Sequence, residues 1–233
     1  MGIRSTLFAV TYDRMMAKAE RQGLNDLRRR LIAEAAGRVL EIGGGTGANL
    51  ALYGEGVESL TVTEPEPAMV RRLERHVAER APHTTVLRAP AEDLPFEDDS
   101  FDVVVSTLVL CGVSDQQRAL RQLGRVLRPG GRLLFLEHMR SEDPKAARHQ
   151  DRMNWLNRLV VCCECNRPTL DSIRAAGFVV DHVERQVFPA SPSFIGPAVL
   201  GSARLPAAAA TPSGPDAATA VPATAVPETT VGG

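Results

Sequence analysis

Short apolar runs alternate along this chain with segments in which apolar residues recur at helical spacing. A run such as Phe101–Ser106, which is rich in β-branched residues, is typical of a strand buried on both faces of a parallel sheet. Because strands and helices alternate through most of the chain, the pattern predicts a parallel sheet covered on both faces by helices. The predicted strands span residues 38–42, 60–63, 84–88, 101–106, 132–137 and 178–184, and part of 194–204. The predicted helices run from the glycine-rich turn to about Tyr53, and over 69–81, 116–127 and 169–176.

The two ends of the chain differ from this alternating region. Residues 206–233 contain five Pro, nine Ala and five Thr but no Leu, Ile, Phe, Lys or Arg. Such a segment cannot bury enough apolar surface to offset its ordering entropy, so we predict a disordered tail. The α/β domain then covers 37–205, and residues 1–36 form a separate helical segment. Apolar residues recur at helix-like spacing in that segment, at Leu24, Leu27, Leu31 and Ile32.

Composition and charge exclude several classes of protein. The chain has 233 residues, is 44% hydrophobic and carries a formal net charge of −1, so no overall field attracts nucleic acid or an anionic membrane. Its longest apolar run, 103–113, is shorter than the ~20 residues that a membrane-spanning helix needs. The N-terminus has no secretory pattern. We therefore expect a cytoplasmic protein, a monomer or homodimer, with no nucleic-acid or membrane partner.

The cysteines are crowded rather than spread along the chain. Three of the four lie between Cys162 and Cys165, which is poor spacing for a disulfide framework and fits a reducing compartment. The run Cys-Cys-Glu-Cys also lacks the paired spacing of a zinc motif. We expect these side chains to pack or to line a pocket, and we predict no metal site.

The densest chemical signal is the glycine-rich turn that follows the first strand. Glycine permits positive φ and lets a ligand approach bare backbone, and the N–H groups that open the next helix face such a ligand. Gly43, Gly45 and Ala48 also satisfy the relaxed dinucleotide pattern G-x-G-x-x-A. The turn alone therefore predicts a nucleoside cofactor without separating a nicotinamide cofactor from another kind. It reads Glu41-Ile42-Gly43-Gly44-Gly45-Thr46-Gly47.

Two acidic residues narrow the choice of cofactor. Glu41, at the end of the first strand, would repel a pyrophosphate and suits a cationic ligand such as S-adenosylmethionine, which has an ammonium, a sulfonium and no phosphate. Glu64 ends the second strand, where a carboxylate can accept hydrogen bonds from ribose hydroxyls. The competing interpretation makes both residues ordinary solvated acids.

Further segments give the chain a family resemblance. Together with Val39–Gly47 and Glu64, they resemble class I S-adenosylmethionine-dependent methyltransferases of the ubiquinone/menaquinone-biosynthesis type. These segments are Ala91–Phe96, Ser100–Asp102, Val103–Cys111 and Arg125–Gly131.

A finer likeness points to a subgroup of that family. Thr107–Cys111, Glu137-His138, Cys165-x-Arg167-x-Thr169 and Ala176–Phe178 resemble the microsomal alkyl-thiol methyltransferases and their soluble bacterial relatives. The microsomal enzymes carry an N-terminal membrane segment. No such segment is evident in this sequence, so the resemblance implies a soluble relative.

The resemblance implies a fold and a set of cofactor contacts. The fold would be a Rossmann-like seven-stranded, mostly parallel sheet with helices on both faces, and residues 1–36 would form a lid. The glycines would pass under the methionine portion and the ribose, Glu41 would orient the amino group, and Leu108 would lie beside the methyl group. Relatives often have an aspartate where this chain has Pro90, so the recognition of adenine is altered here. The implied cofactor-binding residues are Glu41, Gly43, Gly45, Gly47, Glu64, Pro65, Ala91, Glu92 and Leu108.

The methyl acceptor is less well specified than the donor. His138 is the candidate general base, because it follows the fifth strand and an imidazole titrates near neutral pH; the alternative is a histidine that only packs there. Glu137, which could orient His138 or bind a cationic ligand, and Tyr12, in the lid, are candidate substrate contacts. A thiol of pKa about 8.5 needs little help from a base, whereas a phenol benefits from one.

These observations favour methyl transfer to a small-molecule nucleophile. Thiol S-methylation leads over O- or C-methylation of a phenol or quinone. Glu41 and the lack of a Tyr-x-x-x-Lys pair disfavour a nicotinamide-dependent oxidoreductase. The intact turn and Glu64 disfavour a catalytically silent partner protein.

Overall fold

The computed structural model describes residues 16–160 and 163–206, and the structural findings concern those residues. Tyr12, the first half of the predicted lid and the tail beyond residue 206 lie outside them. Among the described residues, no helix is both long and apolar enough to cross a membrane.

Within the described residues, seven strands form one sheet in the order β3-β2-β1-β4-β5-β7-β6. Every neighbouring pair is parallel except the two that β7 makes, with β5 and with β6. The predicted seven-stranded, mostly parallel sheet is thus confirmed. The strands are β1 (Gly37–Ile42), β2 (Val57–Thr63), β3 (Thr85–Leu87), β4 (Phe101–Thr107), β5 (Leu127–His138), β6 (Val179–Val187) and β7 (Pro197–Arg204).

Two helices of the described region begin at a residue whose side chain caps them. Glu66 precedes α2 and accepts a hydrogen bond from the Ala68 N–H, and Asp115 precedes α3 and accepts one from the Arg118 N–H. Ahead of α1, a π-helical turn at Glu20–Leu24 is kinked at Gly23, where φ is 120°. The helices are α1 (Asn25–Ile32), α2 (Pro67–Arg80), α3 (Gln116–Val126), α4 (Pro144–Val160) and α5 (Thr169–Ala175).

The predicted helix between the glycine-rich turn and Tyr53 is wrong. The chain there makes successive turns and a short 3-10 helix, Leu50–Leu52. Gly47, before it, has a φ of 90° and Tyr53, at its end, has a ψ of 130°, so neither is helical and only five residues lie between them. The helix α4 was not predicted, because its apolar residues are not arranged on one face: Trp155, the largest of them, is 66% exposed.

Two hydrophobic layers cover the sheet. On one face, Val104 of β4 packs with Leu123 of α3, and on the other Val105 packs with Leu73 of α2. Successive strand residues point to opposite faces, so a continuous apolar strand fills both layers. Each fully buried side chain of this kind contributes roughly 1.5–3 kcal/mol. The sheet is therefore a rigid base for the loops at its edge.

The strand order indicates at which edge of the sheet a ligand would bind. Strand β1 lies between β2 and β4, and the chain crosses from β3 on one side of β1 to β4 on the other. At such a reversal, the loops after the two central strands diverge and leave a crevice. The loops that follow Ile42 and Thr107 flank this crevice.

Asp102 anchors the opposite edge of the sheet. Its carboxylate accepts hydrogen bonds from the backbone N–H of Arg38 at 2.7 Å and from the guanidinium groups of Arg38 and Arg128. Partial burial raises the pKa of Asp102, but the hydrogen bonds from Arg38 and Arg128 outweigh it and lower the pKa to about 2. A lowered folded-state pKa stabilises the fold above the unfolded value of about 3.9, and this stabilisation is lost as the pH falls towards 2.

We predict that Asp102→Asn destabilises the protein at pH 7 by about 1 kcal/mol, a modest value because the carboxylate is partly exposed, which lowers Tm by about 2–4 °C. Thermal melts at pH 7 and pH 3 should show the difference from wild type shrinking at the lower pH. Asp171→Asn, at an exposed pair with Arg174, is the matched control and should change little at either pH. An equal loss for Asp102→Asn at both pH values would contradict the ionic origin of the effect.

Candidate active site

Three cavities meet at the crevice beside the ends of β1 and β4. The first has a volume of about 690 Å³, the second about 400 Å³ and the third about 220 Å³. Gly43 and Gly45 line both the first and the second, and Leu108 and Gly112 line both the first and the third. The glycine-rich turn and Leu108 are therefore the walls that the cavities share.

The glycine-rich turn exposes its backbone to two of these cavities. Gly43 and Gly45 both have a φ of 57°. A Cβ at Gly43 would lie 2.6 Å from Val109, whereas a Cβ at Gly45 would meet nothing within 4 Å and would project into open space. Gly45 is therefore free for a ligand to approach. Gly47 lines none of the three cavities, and its missing Cβ leaves room for Leu50 instead.

Glu64 closes the first cavity beside this turn. Its Oε2 accepts a hydrogen bond from the Gly45 N–H at 2.9 Å, and its Oε1 accepts one from the Glu66 N–H, also at 2.9 Å. Burial raises the pKa of Glu64 although these two hydrogen bonds lower it. Each oxygen keeps a further lone pair. Glu64, with Pro65 beside it in the cavity lining, is therefore suited to accept from two hydroxyl groups.

Glu41 lies in the wall of the second cavity, as the sequence analysis predicted for a ligand-facing acid. The Tyr53 hydroxyl donates to its Oε2 at 2.7 Å and the Asn49 amide donates to its Oε1 at 2.9 Å. Burial raises the pKa of Glu41, and Tyr53, Arg28 and Asn49 oppose that rise. The carboxylate is held in one orientation by groups on the loop that the sequence predicted to be a helix.

Arg28 lines the second cavity together with Arg21, and its burial there was not predicted from the sequence. This side chain is only 5% exposed. It donates to Asn49 and Thr107, each at 3.1 Å, and pairs with Glu20 at 3.1 Å. The signal was present, because position 28 falls four residues after Leu24 on the buried stripe of the predicted helix, where a charge is out of place. The second cavity therefore holds charges of both signs.

The opposite wall of the first cavity is formed by Pro90, Ala91 and Glu92. The Oε1 atom of Glu92 accepts hydrogen bonds from the N–H groups of Ser114 at 2.7 Å and Asp115 at 3.3 Å. Glu92 therefore fixes the loop that follows β4, and it lines the cavity as expected of a cofactor-binding residue.

Leu108 separates the first cavity from the third. It follows β4 with a φ of 61°, a left-handed conformation that is rare for a residue with a branched side chain. Its N–H donates to the Leu136 carbonyl at 2.8 Å. Conformations of this kind cost of order 1–3 kcal/mol and persist where the surroundings enforce them.

Glu137 supplies that enforcement and does not reach the cavities. It is fully buried, and its Oε1 accepts hydrogen bonds from the Ser106 hydroxyl at 2.6 Å and the Val109 N–H at 3.0 Å. Burial raises its pKa, and the Ser106 hydroxyl and the N–H groups of the loop oppose the rise. It lines none of the three cavities. The prediction of a substrate contact is therefore corrected: Glu137 holds the Leu108 loop.

His138 lies in the third cavity together with Cys111, Cys163 and Cys165. Its ring packs against Phe188 with the centroids 4.7 Å apart. Burial lowers the pKa of His138 to about 4, although backbone carbonyl groups oppose the change. The imidazole is therefore neutral at pH 7, and proton transfer to it from a phenol of pKa about 10 is strongly uphill.

Comparison with known proteins agrees with this geometry. A family model described as a methyltransferase domain matches residues 40–135, which run from β1 into β5. The human thiol S-methyltransferase TMT1B is 36% identical over 177 residues, or 72% of each chain. The human thiol S-methyltransferase TMT1A is 40% identical over 141 residues, which span 58% of this chain and 56% of that protein.

A solved structure supports the fold independently. The SAM-dependent methyltransferase of Thermotoga maritima matches with a TM-score of 0.64 over 86% of this chain and 97% of that one, at 22% identity. The sheet order, the glycine-rich turn and the sequence relatives agree. The chain is a methyltransferase and belongs to the methyltransferase family that includes the thiol S-methyltransferases TMT1A and TMT1B.

Proposed function

We propose that this protein transfers the methyl group of S-adenosylmethionine to a small-molecule thiol. The observation that carries the proposal is the meeting of the three cavities at Gly45 and Leu108. Two of them suit the two halves of the donor, and the third suits an apolar acceptor. The names of the human thiol S-methyltransferases TMT1A and TMT1B support this choice.

The first cavity fits the adenosine half of the donor. Glu64 would accept from the ribose hydroxyls, and the Ala91-Glu92 wall would edge the adenine. Pro90 has neither a side-chain acceptor nor an N–H, so the backbone and Glu92 are left to recognise the base. The open space above Gly45 leaves room for the ribose, because a side chain at that position would fill it.

The second cavity fits the amino-acid half of the donor. Arg28 is the cation that would face its carboxylate, and Glu41 and Glu20 are the anions that would face its ammonium group. Three buried or half-buried acids around the glycine turn would repel the pyrophosphate of a nicotinamide cofactor. The arrangement therefore favours a zwitterionic donor over a dinucleotide.

When bound, S-adenosylmethionine supplies a methyl group on a positively charged sulfur. The residues of the chain then have to align an acceptor with that group and exclude water. Alignment of this kind is worth roughly 7–11 kcal/mol of barrier. Leu108, fixed by Glu137 and shared by the first and third cavities, is placed to hold the two reactants in contact.

The third cavity favours a thiol over a phenol as the acceptor. Its lining consists mostly of apolar and thiol side chains, with the cation of Lys18 at its edge, and His138, its neutral imidazole, is a weak base. A thiol with a pKa near 8.5 is partly ionised at neutral pH and needs little help from a base. A phenol of pKa about 10 depends more on a base, and His138 is a poor one.

We predict that the purified protein methylates thiophenol but not phenol when both are supplied with labelled S-adenosylmethionine. The two acceptors share a carbon skeleton, so the comparison isolates the nucleophile. Mass spectrometry of the products distinguishes the methyl thioether from an aryl ether or a ring-methylated product. Methylation of phenol with none of thiophenol would overturn the assignment of the acceptor.

We predict that Glu64→Ala weakens binding of S-adenosylhomocysteine more than tenfold, because buried ribose hydroxyls would lose their acceptor. Isothermal titration calorimetry measures this loss directly. Glu58→Ala, at an exposed position of the same strand, is the matched control and should leave the affinity unchanged. Equal affinity of wild type and Glu64→Ala would remove Glu64 from the donor site.

Substitution of Leu108 separates backbone strain from function. Glycine tolerates positive φ, so Leu108→Gly should be more stable than Leu108→Ala by about 1–2 kcal/mol in chemical denaturation. Both variants lose the shared wall, and both should lower kcat about tenfold or more with S-adenosylhomocysteine affinity retained. Wild-type turnover in both variants would show that this side chain does not align the reactants.

A further inference from the structure

In the fold, two of the cysteines that are crowded in the sequence lie beside a histidine. Cys163 and Cys165 lie in the third cavity with their Sγ atoms 3.4 Å apart. His138, the last residue of β5, brings a ring nitrogen close to both sulfur atoms. One ligand atom from each of these three residues lies within 4.8 Å of the others, and all three residues are buried.

Within the described part of the chain, one ring nitrogen of the imidazole in this cluster has no hydrogen-bond partner, although it is buried. His138 is 6% exposed, and its Nδ1 has no hydrogen-bond partner among the described residues. Buried polar atoms almost always have a partner. A bound ligand that accepts the lone pair of the imidazole would remove this anomaly.

The donor set suits a thiophilic metal ion, and the two sulfur atoms lie at a suitable spacing. Zn²⁺ binds thiolate sulfur at about 2.3 Å and imidazole nitrogen at about 2.0–2.1 Å, so a tetrahedral site needs ligand atoms about 3.6–3.8 Å apart. The sulfur separation is 3.4 Å, and the imidazole nitrogen lies within 4.8 Å of both sulfur atoms. Among the described residues, no carboxylate lines the third cavity, so the grouped ligands are nitrogen and sulfur.

We propose that His138, Cys163 and Cys165 form a zinc site with an open fourth position that receives the acceptor thiol. Three protein ligands with a vacant position are the pattern of catalytic rather than structural zinc. The site shares its cavity with Leu108, which the first cavity also contacts. The role of the metal in activating the acceptor rests on the proposed function, whereas metal binding itself does not.

The chemistry balances without a further reactant. Binding of the acceptor thiol to the metal releases its proton to solvent and leaves a metal-bound thiolate. The thiolate sulfur forms a new bond to the methyl carbon as the bond from that carbon to the donor sulfonium breaks. The products are a neutral methyl thioether and neutral S-adenosylhomocysteine. A neutral thioether binds the metal more weakly than a thiolate, so the product can leave.

Cobalt substitution tests the site with a readout that is independent of turnover. The purified protein is reduced, stripped with a chelator and titrated with Co²⁺, followed by its thiolate-to-metal charge-transfer absorption. We expect one equivalent to bind, and we expect Cys163→Ser, Cys165→Ser and His138→Gln each to weaken binding at least tenfold. Cys111 hydrogen-bonds to Cys163 but is not one of the three grouped ligands, so Cys111→Ala should keep the band.

The same titration separates this inference from the proposed function. Adding thiophenol should change the cobalt spectrum, and adding phenol should not. Absence of Co²⁺ and Zn²⁺ binding in a protein that still binds S-adenosylhomocysteine and methylates thiophenol would overturn the metal site alone. Metal binding in a protein that methylates no thiol would overturn the proposed acceptor and leave the site standing. Loss of the band in Cys111→Ala would overturn the open, three-ligand form of the site.

Discussion

The hydrogen bond from the Gly45 N–H to Glu64 is the contact on which the geometry of the crevice depends. It joins the loop after β1 to the end of β2, so the bare backbone and the buried carboxylate face the same space. The left-handed φ of Gly45 makes that contact possible, and the open space where its Cβ would stand leaves the carboxylate reachable. Without this bond, the first cavity would lose the wall that we propose binds the ribose.

Three buried glutamates around the crevice have different structural roles. Glu64 has a raised pKa and lines a cavity, whereas Glu137 has a raised pKa and lines none. Glu137 uses its hydrogen bonds to hold the strained loop that carries Leu108. Glu41 lies between these cases, because Tyr53 and Asn49 orient it towards the second cavity. A buried carboxylate with a raised pKa therefore marks a residue important to the site. It does not show whether that residue lines a cavity or only holds a loop in place.

The sheet could be predicted because its central strands, β4 and the second half of β5, are continuous apolar runs that fill two layers. Glu41 and Glu64, expected at the ligand edge because they follow parallel strands, and Leu108, expected there from the family resemblance, all line the cavities. The prediction of an α-helix before Tyr53 was wrong, because the periodicity does not show that the backbone is already extended at Tyr53. The position of Arg28 in the second cavity and the proximity of His138 to the cysteines were not predicted, because both depend on contacts between residues far apart in the chain. The spacing of Cys163 and Cys165 along the sequence does not indicate that a histidine lies beside them in the fold.

A crystal structure of the protein with S-adenosylhomocysteine bound would test the proposed donor site. We expect the ribose hydroxyls on Glu64, the amino-acid portion between Arg28 and Glu41, and the sulfur beside Leu108. Density for the ligand elsewhere on the protein, with side chains filling the crevice, would contradict this proposal.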